Sequence, residues 1–321
     1  MPHHLNSSKS GMPCVSIVIP VYNHARYLPE AIDSVLNQDY PNIELIVLDD
    51  GSSDDTTEVL RRYGDRFFWE SHRNMGQANT LNKGWRMAKG EILAYLSADD
   101  FLLPKAVSAS VRCLHENPDA VLCYPNFQLV DSESRLVRYV VTPEYNYEEM
   151  VAKFVTAPSA GAFFRRSAYV KAGEWDPALR LAPDYDYWLR LGLYGDFVHI
   201  HENLAAFRAH EGSTSFAQTS AEGAVEAVRI IDKYYRRADL PAHILERRNE
   251  AVASANILVA QLHLRSARYG VAASRIIEAI RASPRTILTF RVFRMVANGL
   301  FNRFFHKALG LIRNALRGCG R

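Results

Sequence analysis

Val15-Ser16-Ile17-Val18-Ile19-Pro20-Val21-Tyr22-Asn23 reads as a buried strand that ends in turn-forming residues. Its aliphatic residues run with little alternation, the pattern of a strand covered on both faces in a parallel sheet. Two later runs end in acid. Ile43–Leu48 leads into Asp49-Asp50-Gly51, and Glu91–Leu96 leads through Ser97-Ala98 into Asp99-Asp100. Between the runs lie segments of helical period: Ala25–Gln38, a helix starting among Ser52–Asp55 and reaching Leu60 or Tyr63, and Met75–Lys89. Phe67–Glu70 and Ala120–Tyr124 complete the strands, with a helix at Pro104–Glu116. Strands alternating with helices predict an open α/β sheet with helices on both faces. Ligands bind beyond the carboxyl ends of such strands. Three strand ends therefore face one crevice, and the paired carboxylates on two of them suit a divalent cation with a hydroxyl- or phosphate-rich ligand.

Beyond residue 125 the rhythm changes. Asn126–Val141 reads as a hairpin, Asn146–Phe154 as a helix, Gly161–Arg165 as a strand and Tyr185–Leu193 as a helix; short strands follow at Phe197–Ile200 and Leu204–Arg208. From Gln218 onward no strand is expected. Ala224–Arg236, His243–Ser266 and Val271–Ala282 are amphipathic, and Phe301, Phe304, Phe305, Leu309, Ile312 and Leu316 form an apolar stripe opposite basic residues. The expected organisation is a flexible segment 1–13, a sheet domain 14–217 and a helical region 218–321 with a basic tail.

The net charge of +3 conceals an asymmetry. Residues 281–321 hold nine Lys or Arg and no acid, leaving 29 basic against 35 acidic side chains in the rest. A basic helix with Phe and Leu opposite predicts contact with an anionic membrane surface through residues 287–321; packing on the body is the plainer alternative. No aromatic platform or motif points to nucleic acid. Cys14, Cys113, Cys123 and Cys319 have no metal-type spacing and read as reduced thiols of a cytoplasmic protein, peripheral at the inner membrane face if the tail docks there. Neither a secretory leader nor a spanning helix is expected.

The motifs form an ordered set. Val15–Asn23 is followed by Tyr27-Leu28, Ala31-Ile32 and Ser34-Val35; then come Asp49-Asp50-Gly51-Ser52-Ser53-Asp54, Asn74-Met75-Gly76-Gln77, Asn82-Lys83-Gly84, Ser97-Ala98-Asp99-Asp100 and Asp184-Tyr185-Asp186-Tyr187-Trp188-Leu189-Arg190. Over residues 14–212 the chain resembles glycosyltransferase family 2. The resemblance implies a GT-A fold (Rossmann-like, a mostly parallel mixed sheet with helices on both faces) and, after it, the helical C-terminal region. It also implies inverting, metal-dependent transfer from a nucleotide-sugar donor, with UDP favoured, to a glycan or lipid-linked acceptor in polysaccharide synthesis, with Mg²⁺ or Mn²⁺.

The same resemblance assigns roles. Pro20, Val21, Tyr22, Asp50, Gly76, Asn82, Lys83, Ser97 and Asp99 fall in the donor site, with Asp50 matching a uracil contact. Asp99 and His210, the latter in Phe207-Arg208-Ala209-His210, match metal ligands. Asp184 matches the catalytic base, and Asp100 and Trp175 are acceptor-side candidates. Plainer alternatives stand beside these: Asp50 as a helix cap, Tyr22 as an exposed turn residue, Lys83 as a solvated helix lysine, His210 as a packed histidine, Arg208 as a bridge to a carboxylate, and Asp184 as a helix N-terminal charge. Three departures matter. Ser97 and Pro183 stand where the family has acidic residues, and Leu81 stands where it often has arginine. They leave open a non-catalytic scaffold on the same fold. A nucleotidyltransferase is the third reading, disfavoured because Pro20–Ala25 lacks a glycine-rich phosphate loop.

Overall fold

A computed structural model describes residues 11–299, apart from 157, 211 and 213–219. The tail stripe from Phe301 onward and Cys319 lie outside the described residues. The elements run β1 (Val15–Val21), α1 (Leu28–Leu36), β2 (Ile43–Asp49), α2 (Thr56–Arg62), β3 (Phe68–Ser71), α3 (Gln77–Met87), β4 (Ile92–Tyr95), β5 (Phe101–Leu102), α4 (Ala106–Glu116), β6 (Ala120–Val130), β7 (Leu136–Val140), α5 (Tyr147–Lys153), β8 (Phe163–Arg165), α6 (Arg166–Ala172), α7 (Pro183–Leu191) and β9 (Asp196–Arg208). Helices then follow as α8 (Ala221–Ala224), α9 (Glu226–Tyr234), α10 (Ala242–Glu246), α11 (Arg248–Arg265), α12 (Tyr269–Ala282) and α13 (Pro284–Ile287).

The sheet order is β3-β2-β1-β4-β8-β6-β9-β5, with β7 pairing β6. β1, β2, β3 and β4 are mutually parallel, and β8 enters antiparallel between β4 and β6. β1 is buried along its whole length, as expected of a central strand. Pro20 is tolerated there because β4 pairs only with Val15–Val18. The Val18 carbonyl accepts from Leu96 on that side, so the missing N–H of Pro20 faces the gap past the end of β4. α1 buries Leu28, Ala31, Ile32 and Val35 against the sheet, one apolar stripe of a 3.6-residue period.

Three local expectations are corrected. Phe197–Ile200 and Leu204–Arg208 are parts of one strand, β9, with a register break opposite Pro125 and Asn126. The Asn126 side chain bridges that break by donating to the His201 carbonyl. β5 and α6 carry too little periodic signal in the sequence to be read from it. His243–Ser266 divides into α10 and α11, and α11 is buried on nearly every side, an alanine-rich central helix instead of an amphipathic one.

Contacts divide the chain into two compact units. The first comprises 1–145, 156–178 and 183–213 and contains the sheet. The second comprises 146–155, 179–182 and 214–321, and its described residues are mainly helical, with α9, α12 and α5 packed on α11. Within it the buried carboxylate of Glu226 accepts from the Arg180 and Leu181 amides. No helix among the described residues is long and apolar enough to cross a membrane.

Candidate active site

The carboxyl ends of β1, β2 and β4 lie side by side, as the sequence implied. The loops after β1 and β2 are latched together. The Asn23 amide donates to Ser52 Oγ at 2.8 Å, the Ser53 amide to Asn23 Oδ1 at 2.8 Å, and the Ala25 amide to Asp54 Oδ2 at 3.0 Å. Asn23 takes a left-handed φ of 56° to make this turn. Gly51 has φ +76°, and a Cβ there would sit 2.8 Å from the Asn74 nitrogen, so only glycine lets the loop before α3 approach this closely.

The first pair of carboxylates faces inward. Asp49 is fully buried and accepts from the Ser52 amide, Ser71 Oγ and Thr57 Oγ1. Asp50, 3% exposed, accepts from the Met75 amide at 2.7 Å and the Gly76 amide at 2.9 Å. These two acids fix loops and add no bare charge to the crevice. Val21 is buried and its carbonyl accepts from the Asp50 amide, whereas Tyr22 is exposed. Lys83 pairs with Glu70 of β3 at 2.8 Å, which leaves it at the β3 edge with its charge already matched.

Asn82 lies deeper than a ligand contact would. It is buried, its Nδ2 donates to the Trp175 carbonyl, and its Oδ1 accepts from the Trp175 amide. Trp175 is itself 3% exposed and packs edge-on against Tyr95 and Trp85. Its indole nitrogen is buried without a protein partner. Trp175, the acceptor-side candidate, is thus buried and packs behind Tyr95.

The second pair of carboxylates diverges. A tight turn, in which the Asp100 amide donates to the Ser97 carbonyl at 3.1 Å, points Asp99 and Asp100 to different sides. Asp100 is buried and accepts from the Arg208 amide at 2.9 Å, so it anchors β9 instead of meeting an acceptor. Burial, reinforced by Asp99, pushes its carboxyl pKa up. Asp99 meets His210, with Nε2 to Oδ2 at 2.9 Å. His24, from the loop after β1, joins them: one ligand atom from each of His24, Asp99 and His210 lies within 4.8 Å of the others. His24 is absent from the sequence reading, although it directly follows the strand-end Tyr22-Asn23. Two imidazoles and a carboxylate form a donor set that fits a divalent ion. Ser97 belongs to the turn and is half-buried.

Arg208, 1% exposed, explains how this turn is held. Its Nε donates to the Asp99 carbonyl, Nη1 to Ser134 Oγ and Nη2 to Glu30, and the guanidinium lies 4.7 Å from the Tyr27 ring centroid. It bridges carboxylate and loop, as its plainer reading from the sequence has it.

Asp184 sits in the first turn of α7, which starts at Pro183. Its Oδ1 accepts from the Tyr185 amide, and desolvation raises its carboxyl pKa. Asp186, on another face of α7, is buried and ion-paired with Arg190, whose guanidinium also holds the Ala172 and Glu174 carbonyls. Tyr95, at the end of β4, ties the site together. Burial pushes its phenol pKa up, and so do the charges of Asp184, Asp100 and Asp99.

The family model described as Glycosyl transferase family 2 matches residues 16–173. An uncharacterized glycosyltransferase of Rickettsia typhi is 34% identical over 212 residues, 63% of this chain and 66% of that protein. The chondroitin synthase of Pasteurella multocida is 31% identical over 211 residues, 64% of this chain but 21% of that protein. The chain thus spans under two thirds of these relatives' own length. Among solved structures, TarS 1-349 of S. aureus with UDP-GlcNAc superposes with a TM-score of 0.63 at 19% identity, covering 88% of this chain and 84% of that one. The mannosyltransferase PcManGT of Pyrobaculum calidifontis, with GDP-Man and Mn2+, superposes with a TM-score of 0.61 at 16% identity, covering 93% and 89%. With a mixed sheet, a helical C-terminal region and these likenesses, the fold is GT-A, and the chain belongs to glycosyltransferase family 2.

Proposed function

We propose that the protein is an inverting glycosyltransferase that moves a sugar from a nucleotide-sugar, with UDP-sugar favoured, to a hydroxyl of a glycan or lipid-linked acceptor in polysaccharide synthesis. The observation that carries the reading is the His24–Asp99–His210 cluster beyond the carboxyl ends of β1 and β4. The desolvated carboxylate of Asp184 supports the role of base.

Asp184 takes the proton of the acceptor hydroxyl as that oxygen attacks C1 of the donor. The C1–O bond to the diphosphate breaks on the opposite face, and the nucleoside diphosphate leaves with the bonding pair. A positioned base of this kind contributes roughly 10²–10⁴-fold, and a raised pKa makes Asp184 a stronger base than a solvated aspartate. Asp99, His210 and His24 would hold Mg²⁺ or Mn²⁺. When bound, that ion offsets the charge developing on the diphosphate. Tyr22 offers a face for the nucleobase, and Asp50 shapes the nucleotide end by fixing residues 75–76. The UDP-GlcNAc complex of TarS and the chondroitin synthase likeness support this donor and acceptor class. The exposed apolar and basic residues near the described C-terminal end support docking on an anionic membrane surface.

Calorimetric titration with UDP and GDP, with and without Mn²⁺, tests the reading. Metal-dependent binding of UDP that is lost in Asp99→Ala is expected. Failure of both nucleotides to bind with any metal would favour a non-catalytic scaffold.

A further inference from the structure

A second cluster of potential ligands shares no residue with the His24–Asp99–His210 set: Glu144, His199 and His201. His199 and His201 are two apart on β9 and project to one face, with ring centroids 4.4 Å apart. Glu144 comes from the segment that follows β7. One of its oxygens, Oε1, lies 2.8 Å from His199 Nδ1 and 3.8 Å from His201 Nδ1.

The proton on His199 can be placed by its surroundings. Asn126 Nδ2 donates to the His201 carbonyl, which can only accept, so the amide orientation is fixed. Asn126 Oδ1 therefore faces His199 Nε2 at 2.8 Å and must accept from it. The Thr142 hydroxyl, also 2.8 Å from Nε2, has the Pro125 carbonyl and Asn126 Oδ1 to donate to. With Nε2 donating to Asn126, Nδ1 of the ring faces a carboxylate oxygen at hydrogen-bond distance. Something positive belongs between them. A single proton would serve His199 alone, while His201 Nδ1 faces the same oxygen. One cation serves all three.

The supporting frame has the form of a built ligand site. His199 is held by a buried amide and a buried hydroxyl behind it, with its side chain 2% exposed and its ring stacked on Tyr124 at 5.0 Å and 1°. A hydrogen bond from the far ring nitrogen orients a metal-bound histidine and raises its basicity. Glu144 and His201 are exposed and free to close on an ion. Two imidazoles and one carboxylate, with an open position for water, form a donor set that accepts cations of the Zn²⁺ class.

We propose that Glu144, His199 and His201 form a second divalent-cation site, able to take Zn²⁺-class ions, which pins the segment after β7 to β9. The test is calorimetric titration of the full chain with Zn²⁺ alone, and with Co²⁺ read by visible absorption. His201→Ala and Glu144→Gln remove exposed ligands and leave the core intact. The wild type is expected to bind one more equivalent of Zn²⁺ than either variant, and both variants should lose the matching cobalt bands. Asp99→Asn, which disables the other cluster, should keep this equivalent, so the result stands apart from the reading of the active site. Equal Zn²⁺ stoichiometry and affinity in the wild type and both variants would overturn the proposal and leave an imidazolium–carboxylate bridge in its place.

Discussion

The side-chain amide of Asn82 closes on the backbone of Trp175 from both sides, donating to its carbonyl at 2.8 Å and accepting from its N–H at 2.9 Å. This clasp fixes the wall behind Tyr95. Asn82→Ala would leave two buried backbone groups unpaired, at about 1–3 kcal/mol each before relaxation. We expect a lower midpoint of thermal unfolding and weaker transfer, with Mn²⁺ binding retained. An unchanged midpoint would show that water replaces the amide and that the clasp is dispensable.

Asp184 sets activity against stability. Its pKa is raised by desolvation, so the folded state holds the proton more tightly than the unfolded chain. That contribution to stability is fully present below the unfolded pKa and is lost as pH rises through the folded one. At neutral pH the ionised carboxylate therefore opposes folding, while the proposed role as base requires it ionised. Asp184→Asn should cut turnover by roughly 10²-fold or more, leave nucleotide binding intact and raise the unfolding midpoint at neutral pH, with the gain fading in acid. In the wild type, kcat should rise with pH through the raised pKa. Full transfer by the variant would remove Asp184 from the role of base.

Ser97 and His24 are expected to compensate for one another. Where the family has a carboxylate at position 97, this chain has a hydroxyl, and His24 adds a third potential ligand from the loop after β1. His24→Ala should weaken Mn²⁺ binding at least tenfold, measured by electron paramagnetic resonance without substrate. Ser97→Asp in the same chain should restore much of it. Equal Mn²⁺ affinity in wild type and His24→Ala would exclude the histidine from the ion site.

The sheet was legible because β1, β2 and β4 are buried on both faces and announce themselves as apolar runs closed by Asp or Asn. The motif positions also came from sequence, but the direction of each side chain did not. Asp49, Asp50 and Asp100 resemble Asp99 as letters. Only the backbone amides that converge on the first three show that they hold loops, while Asp99 meets imidazoles. His24 was hidden because its partners lie far along the chain, at 99 and 210. Tyr95 looked like one more strand aromatic until Trp175 and Asp184 were placed around it.

Arg208 is a structural arginine at the edge of the ion site. One guanidinium meets Glu30, Ser134, the Asp99 carbonyl and the face of Tyr27. Lysine offers a point charge without the planar fork, so it cannot reach these partners together. Arg208→Lys should destabilise the fold, and removing the cation altogether by Arg208→Met should destabilise it further, though by less than breaking a fully buried pair because Glu30 is 41% exposed. Chemical denaturation measures both. Mn²⁺ binding should fall alongside, because the Asp99 turn loses its tether. Wild-type stability in Arg208→Met would show that Glu30 is solvated and needs no partner.

The described C-terminal end carries apolar side chains that the second unit leaves uncovered. Leu288 is 87% exposed, Phe290 77% and Phe293 69%, and Arg285 and Arg294 lie within the same stretch. Aromatic and aliphatic side chains can enter the headgroup boundary while arginines meet anionic lipid, each worth about 1 kcal/mol near the surface. Cosedimentation with vesicles of mixed phosphatidylglycerol and phosphatidylcholine should capture the full chain and release it as salt rises and shortens the Debye length. Arg285→Glu with Arg294→Glu should weaken capture and flatten its salt dependence, and Phe290→Ser with Phe293→Ser should weaken it at every salt concentration. If both double variants sediment like wild type, residues 285–294 are not the membrane contact.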